Sequence, residues 1–91
     1  MNAAAWRVEF HPAAVRELRR LGPGGERRVL RYLRERIANS NDPRRFGHAL
    51  IGERKGLWRY RVGDYRIVAS IEDDRFVVLV VAVGHRREIY R

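Results

Sequence analysis

The hydrophobic and polar positions fall into a short series of patterned segments. In AWRVEF, Trp6, Val8 and Phe10 alternate with Arg7 and Glu9, and this period of two predicts a half-buried strand. Pro12 suits the first position of a helix. Ala14, Val15, Leu18 and Leu21 then recur at three- and four-residue steps, predicting a short helix that Gly22-Pro23-Gly24 stops. A second helix is predicted over residues 26–38. Val29, Leu30, Leu33 and Ile37 form its apolar face, and Arg27, Arg28, Arg31, Arg34 and Glu35 its charged one. Turn formers at residues 39–43 end it. Residues 44–56, RRFGHALIGERKG, sustain no period and read as a connecting loop.

The remainder reads as strand. LWRYRVGDYRIV, residues 57–68, is rich in residues that favour extended chain, and Gly63-Asp64 is a two-residue turn signal of the glycine-first kind. After a turn near Asp73-Asp74, a third strand is predicted over residues 75–83. Its FVVLVVAV run is apolar at nearly every position, the pattern of a strand covered on both faces. The order β-α-α-β-β-β predicts an α+β fold, two N-terminal helices packed on a small, mostly antiparallel sheet. Residues 1–91 read as one domain, without internal repeats or low-complexity tracts.

The hairpin poses an electrostatic question. With a two-residue turn, Val62 faces Tyr65, Arg61 faces Arg66, Tyr60 faces Ile67 and Arg59 faces Val68. Opposed residues share a face, so Arg59, Arg61 and Arg66 emerge together, although like charges directly opposite destabilise a sheet. Extending the hairpin into the third strand adds Val77, Leu79 and Val81 to that face as an apolar floor. The terminal VGHRREIYR would bring His85, Arg86, Arg87 and Tyr90 to the Arg61/Arg66 end. A phosphate fits such a ring of guanidinium groups, because it relieves their repulsion and accepts paired N–H donors. Trp58, Tyr60 and Ile67 share the opposite face and are expected in the core.

Composition sharpens this picture. The formal net charge is +9, and 19 of the 20 basic residues are arginine. Residues 1–41 carry nine basic and four acidic side chains, residues 42–91 eleven and seven, so the excess belongs to the folded body. A nucleic acid or another polyanion is the expected partner, an acidic protein the alternative. There is no cysteine, so neither disulfides nor a thiolate zinc site is available, and a reducing, cytoplasmic setting fits. No run approaches the roughly 18 apolar residues of a membrane span, and MNAAAWRVEF lacks the pattern of a secretory signal. Three histidines far apart in sequence suggest no metal site, and no glycine-rich phosphate loop points to a nucleotide cofactor.

The element order, with PRRFGHALIGERKGLWRYRVGDYRIV and VGHRREIY, resembles the RelE/ParE superfamily of bacterial and archaeal toxins, on the RelE side. The resemblance covers essentially the whole chain. It implies a ribosome-dependent endoribonuclease that cuts messenger RNA in the ribosomal A site, without metal or cofactor. It also implies a cognate RelB-like antitoxin, and contact with operator DNA only through the toxin–antitoxin complex. Carried over by position, Arg59 and Arg61 match basic strand positions, Arg66 the arginine after the turn, Arg86 the tail arginine and Tyr90 the terminal aromatic. Arg66 and Arg86 would hold the scissile phosphate during 2′-hydroxyl attack, which leaves a 2′,3′-cyclic phosphate and a 5′-hydroxyl. Tyr90 would stack on or orient the nucleotide.

The family often has lysines where this chain has Arg59 and Arg61. Arginine keeps its proton, so these positions offer electrostatic stabilisation without proton transfer. His85 is the first substitute, since an imidazole pKa of about 6.5 suits proton transfer near neutrality. His48 is the second, because related toxins place an ionisable residue in that loop; Lys55, the only lysine, stands too early. Ordinary roles compete with these. Arg59, Arg61 and Arg66 have an ordinary reading as a solvated sheet face or as partners of Asp64, Glu53 or Glu72, His11 beside Pro12 as a helix-entry residue, and the arginines of the second helix as a solvated surface or a contact to ribosomal RNA or antitoxin. Two other functions remain open: a ParE-like inhibitor of DNA gyrase, and a catalytically weakened toxin acting mainly as co-repressor with its antitoxin.

Overall fold

The computed structural model describes residues 6–85. Its first strand, β1 (Arg7–Phe10), is followed by helices α1 (Pro12–Arg20) and α2 (Gly22–Tyr32). Short β2 (His48–Ala49) and strands β3 (Leu57–Val62), β4 (Tyr65–Glu72) and β5 (Val77–His85) complete one five-stranded sheet in the order β1-β5-β4-β3-β2. All neighbours run antiparallel except β1 and β5. The helices cover one face of the sheet, which is the α+β architecture that the pattern predicts.

Local chemistry sets the helix limits. His11 is the N-cap of α1: its Nδ1 accepts from the Ala13 amide at 3.1 Å, while Pro12 occupies the first turn. The expected stop at Gly22-Pro23-Gly24 is only a joint. α1 ends at Arg20 with Leu21 as its cap, and Pro23, suited to a first turn, already belongs to α2, which therefore begins four residues earlier than the apolar period indicates. At its other end α2 widens into a π-helical turn, Leu33–Ile37, closed by the Ala38 amide donating to the Leu33 carbonyl at 2.9 Å. Leu33 and Ile37 both stay buried against the sheet.

The core lies between the layers. Ala14, Leu18, Val29, Leu33 and Ile37 from the helices meet Tyr60, Val62, Ile67, Ala69, Val78, Val80 and Val83 from the sheet, with Trp6 at one end. Tyr60 and Ile67 are fully buried as expected, whereas Trp58 near the sheet edge is only half-buried under the Arg44 guanidinium. Beyond Phe10, β1 no longer covers β5. There Glu17 of α1 takes over, its Oε1 accepting from the Val83 amide at 2.8 Å. A backbone donor that would be left open is thus satisfied by a carboxylate.

β5 departs from its expected reading in two ways. It runs Val77–His85, two residues later at each end, and Phe76 stands in the preceding turn at φ 53°, half-exposed, with its ring edge-on to Trp6 at 5.2 Å. The strand is also not sealed on both faces: Leu79, Val81 and Ala82 are only partly buried. More consequential is a bulge. Val68 pairs with Ala82 but Ala69 pairs with Val80, so Val81 is an extra residue without an opposite. A bulge of one residue reverses the alternation beyond it. Val77 and Leu79 share the face of Arg66 and Val68 as expected, but past the bulge Ala82 and Gly84, not Val81, continue that face.

Candidate functional site

The β3–β4 hairpin has the expected register throughout: Val62 opposite Tyr65, Arg61 opposite Arg66, Tyr60 opposite Ile67 and Arg59 opposite Val68. Gly63 takes φ +59° while Asp64 keeps a negative φ, the glycine-first turn whose twist matches the flanking strands. A side chain at Gly63 would be doubly penalised, because its Cβ would also stand 2.8 Å from the Arg28 guanidinium packed on the turn from α2. The tight turn forces Arg61 and Arg66 to face each other. Two guanidinium charges roughly 5 Å apart repel by on the order of 1 kcal/mol in water, and by several times that at lower effective dielectric.

The two arginines meet this in different ways. Arg61 is exposed. Arg66 is 8% exposed and folds back over the turn, its Nη1 donating to the carbonyls of Gly63 at 3.2 Å and Tyr65 at 3.1 Å. Its Nε is buried and has no acceptor among the described residues, which costs free energy. No ion pair among the described residues reaches Arg61 or Arg66. Gly84, opposite Arg66 on β5, places no side chain beside it.

The expected loop contains a strand that sequence periodicity missed, since two residues cannot show a period. β2 sets His48 directly opposite Arg59, so this histidine shares the arginine face. The rows of that face read His48, Arg59, Val68, Ala82 and, nearer the turn, Arg61, Arg66, Gly84. His85 goes elsewhere. It pairs with Tyr65, its ring edge-on to the tyrosine ring at 5.7 Å. Tyr65 packs against the helix layer, so His85 lies on the opposite side of the sheet from the arginines. There it lines a cleft of about 580 Å³ with Glu17, Arg20, Leu21, Tyr65, Val83 and Gly84. The expected grouping of His85 with the arginines is thus corrected, and the bulge at Val81 is the physical reason. Lys55 sits before β3, at the end away from the turn. Arg86, Arg87 and Tyr90 lie outside the described residues.

The segment carrying His48 is tied down in several places. Asp42 caps a 3₁₀ turn, Pro43–Phe46, with Oδ1 accepting from the Arg44 amide at 3.1 Å. The buried Tyr60 hydroxyl donates to the Pro43 carbonyl at 2.8 Å. Arg44 grips Asp73 in the β4–β5 turn with contacts of 3.0 and 2.5 Å. That hydrogen bond holds the Asp73 carboxyl below its ordinary range and pushes the Arg44 guanidinium up. Burial raises the hydroxyls of both Tyr60 and Tyr32, so neither ionises near neutrality. Among the described residues no cluster of histidine and carboxylate side chains could hold a metal ion, and no helix is long and apolar enough to cross a membrane.

A five-stranded sheet with helices on one face thus carries an arginine set at one hairpin tip. Residues 8–90 match the family described as the ParE toxin of the type II toxin–antitoxin system parDE. Toxin RelG of Mycobacterium tuberculosis is 35% identical over 86 residues, covering 92% of this chain and 94% of that protein. Toxin RelE of the same organism is 37% identical over 51 residues, 56% of this chain and 53% of that one. Among solved structures, the toxin–antitoxin complex RelBE2 from M. tuberculosis superposes with a TM-score of 0.83 at 29% identity, covering 91% of this chain and 93% of that one. The archaeal RelE–RelB complex from Pyrococcus horikoshii follows with 0.68 at 28% identity, over 91% and 97% of the two chains. The chain belongs to the RelE/ParE family of type II toxins, and its likeness is mostly to RelE-type members.

Proposed function

We propose that this chain is the toxin of a type II toxin–antitoxin system and acts as a ribosome-dependent, metal-independent endoribonuclease on messenger RNA. The observation that carries the reading is the opposed Arg61/Arg66 pair, two like charges that no carboxylate among the described residues neutralises. A phosphodiester screens that repulsion and accepts from guanidinium N–H groups. As the 2′-oxygen attacks phosphorus, the P–O5′ bond breaks and negative charge on the phosphoryl oxygens grows, where fixed guanidinium groups stabilise it most. Arg66 holds the phosphate, Arg59 and Arg61 add positive potential, and the family resemblance assigns Arg86 to the same phosphate and Tyr90 to the base. The products are a 2′,3′-cyclic phosphate and a 5′-hydroxyl, the leaving 5′-oxygen taking its proton from water.

The 2′-hydroxyl proton needs an acceptor that arginine does not provide. Strand alternation supports His48 over His85 in this role, because His48 faces the arginines and His85 the helices. A RelB-like antitoxin is the proposed inhibitor, by analogy with the toxin–antitoxin complexes of the relatives. A second reading, gyrase inhibition, is favoured by the ParE description of the matched family. Primer extension on messenger RNA from a translation system given the toxin, with DNA supercoiling measured in parallel, separates them. Codon-phased cuts that vanish in Arg66→Ala support cleavage. Gyrase inhibition without cuts would sink it.

A further inference from the structure

We infer that Tyr60, seated on Gly47, is a positioning residue for the cleavage site: its buried hydroxyl holds the turn that delivers His48 to the arginine face. The inference rests on the proposal that this face cuts RNA and names a residue that touches no substrate. Tyr60 lies on the helix side of β3, while its chain neighbours Arg59 and Arg61 lie on the other.

β2 is two residues long, with one further backbone bond, Leu50 N–H to the Leu57 carbonyl at 2.9 Å. So short a strand cannot fix its own register. A slip of one residue would send His48 to the opposite face and put Ala49 beside Arg59. Register must then be set by whatever precedes β2, and two anchors are present. One is the Arg44–Asp73 ion pair, whose side chains are 34% and 62% exposed, a weak tether in solvent. The other is internal. The Tyr60 hydroxyl, shut off from water, donates to the Pro43 carbonyl across 17 residues of sequence. A phenylalanine would fill the same apolar space, so the hydroxyl serves this bond and no packing need.

Gly47 completes the seat. A Cβ there would stand 3.0 Å from the Tyr60 ring and 3.2 Å from the Arg59 carbonyl. A side chain there would crowd the ring, so glycine lets the chain come down closely on it and enter β2 at the next residue, His48. The Tyr60 ring thus supports the chain beneath Gly47 while its hydroxyl ties Pro43, the first residue of the preceding turn.

Tyr60→Phe removes the hydroxyl alone and tests this in two ways. In single-turnover cleavage on programmed ribosomes, the variant is expected to lose about 10-fold to 10²-fold in rate with KM unchanged, the effect of a misplaced reacting group. In a His48→Ala background the same substitution is expected to cost nothing further; equal losses in both backgrounds would overturn the inference. Amide hydrogen exchange gives a readout that needs no activity. Tyr60→Phe should strip protection from the Leu50 amide while the Ile67 and Val80 amides keep theirs. Unchanged Leu50 protection overturns the positioning role, whether or not the protein cuts RNA. A wild-type protein that cuts nothing instead refutes the cleavage reading, and the exchange result still decides this one.

Discussion

The open face of the sheet has two ends that treat charge in opposite ways. At the β4–β5 turn, Arg75 reaches Glu72 on β4 at 2.5 Å and Glu9 on β1 at 3.4 Å, and Arg7 pairs with Glu9 at 3.1 Å. β5 lies between those strands, so Arg75 bridges across it. Val77 sits directly opposite both Arg7 and Glu72 and is fully buried. At the β3–β4 turn, Arg61 and Arg66 are set against each other with no carboxylate partner among the described residues. One end completes its own charge balance and seals a valine. The other keeps two like charges opposed, the balance that the proposed RNA phosphate would supply. On that proposal, the two ends of one sheet divide stability from binding.

Substitutions sharpen that contrast. The largest effect is expected from Arg66→Met, which should lower the single-turnover cleavage rate by about 10³-fold. Thermal unfolding of the same variant should show no loss of stability, because a repelling, incompletely satisfied guanidinium is replaced by a side chain of similar length. A large drop in melting temperature would mean that Arg66 is a structural residue and would break the comparison. Next, His48→Ala is expected to slow cleavage by about 10²-fold, while His85→Ala should leave the rate unchanged. The reverse result would return the proton carrier to the helix side of the sheet.

At the neutralised end the expected effects are smaller and concern stability alone. Glu72→Gln should cost up to about 1 kcal/mol in urea unfolding, the range of partly exposed ion pairs, and leave cleavage untouched. The smallest effect is that of Asp73→Asn. Arg44 depresses the Asp73 pKa in the folded protein, so the pair stabilises the fold above the unfolded carboxylate value of about 3.9 and loses its effect as pH falls through the lower folded value. The melting temperatures of wild type and Asp73→Asn should therefore differ by a constant amount near neutrality and converge below about pH 4. A difference that persists there would assign the contact to packing.

The readable and unreadable parts of this chain divide by range. The register of the hairpin, the pairing of Arg61 with Arg66 and the burial of Tyr60 were legible because a two-residue turn fixes which residues face each other. The cap at His11 and the helix faces were legible for the same local reason. The start of α2 was not, since Pro23 serves either as a stop or as a first turn and only packing against α1 and the sheet decides. β2 was not, since two residues carry no period and the strand exists only because β3 offers an edge and Tyr60 an anchor.

The sequence by itself determined that three arginines would share one face of a hairpin, because alternation and turn length are properties of adjacent residues. Only the tertiary structure decided which histidine joins them. One extra residue at Val81, accommodated between β4 and β5, turns His85 toward the helices, and an edge pairing across 11 residues of chain turns His48 toward the arginines. Both outcomes depend on counting register through contacts between distant segments. A one-residue change in that count reverses every side chain beyond it.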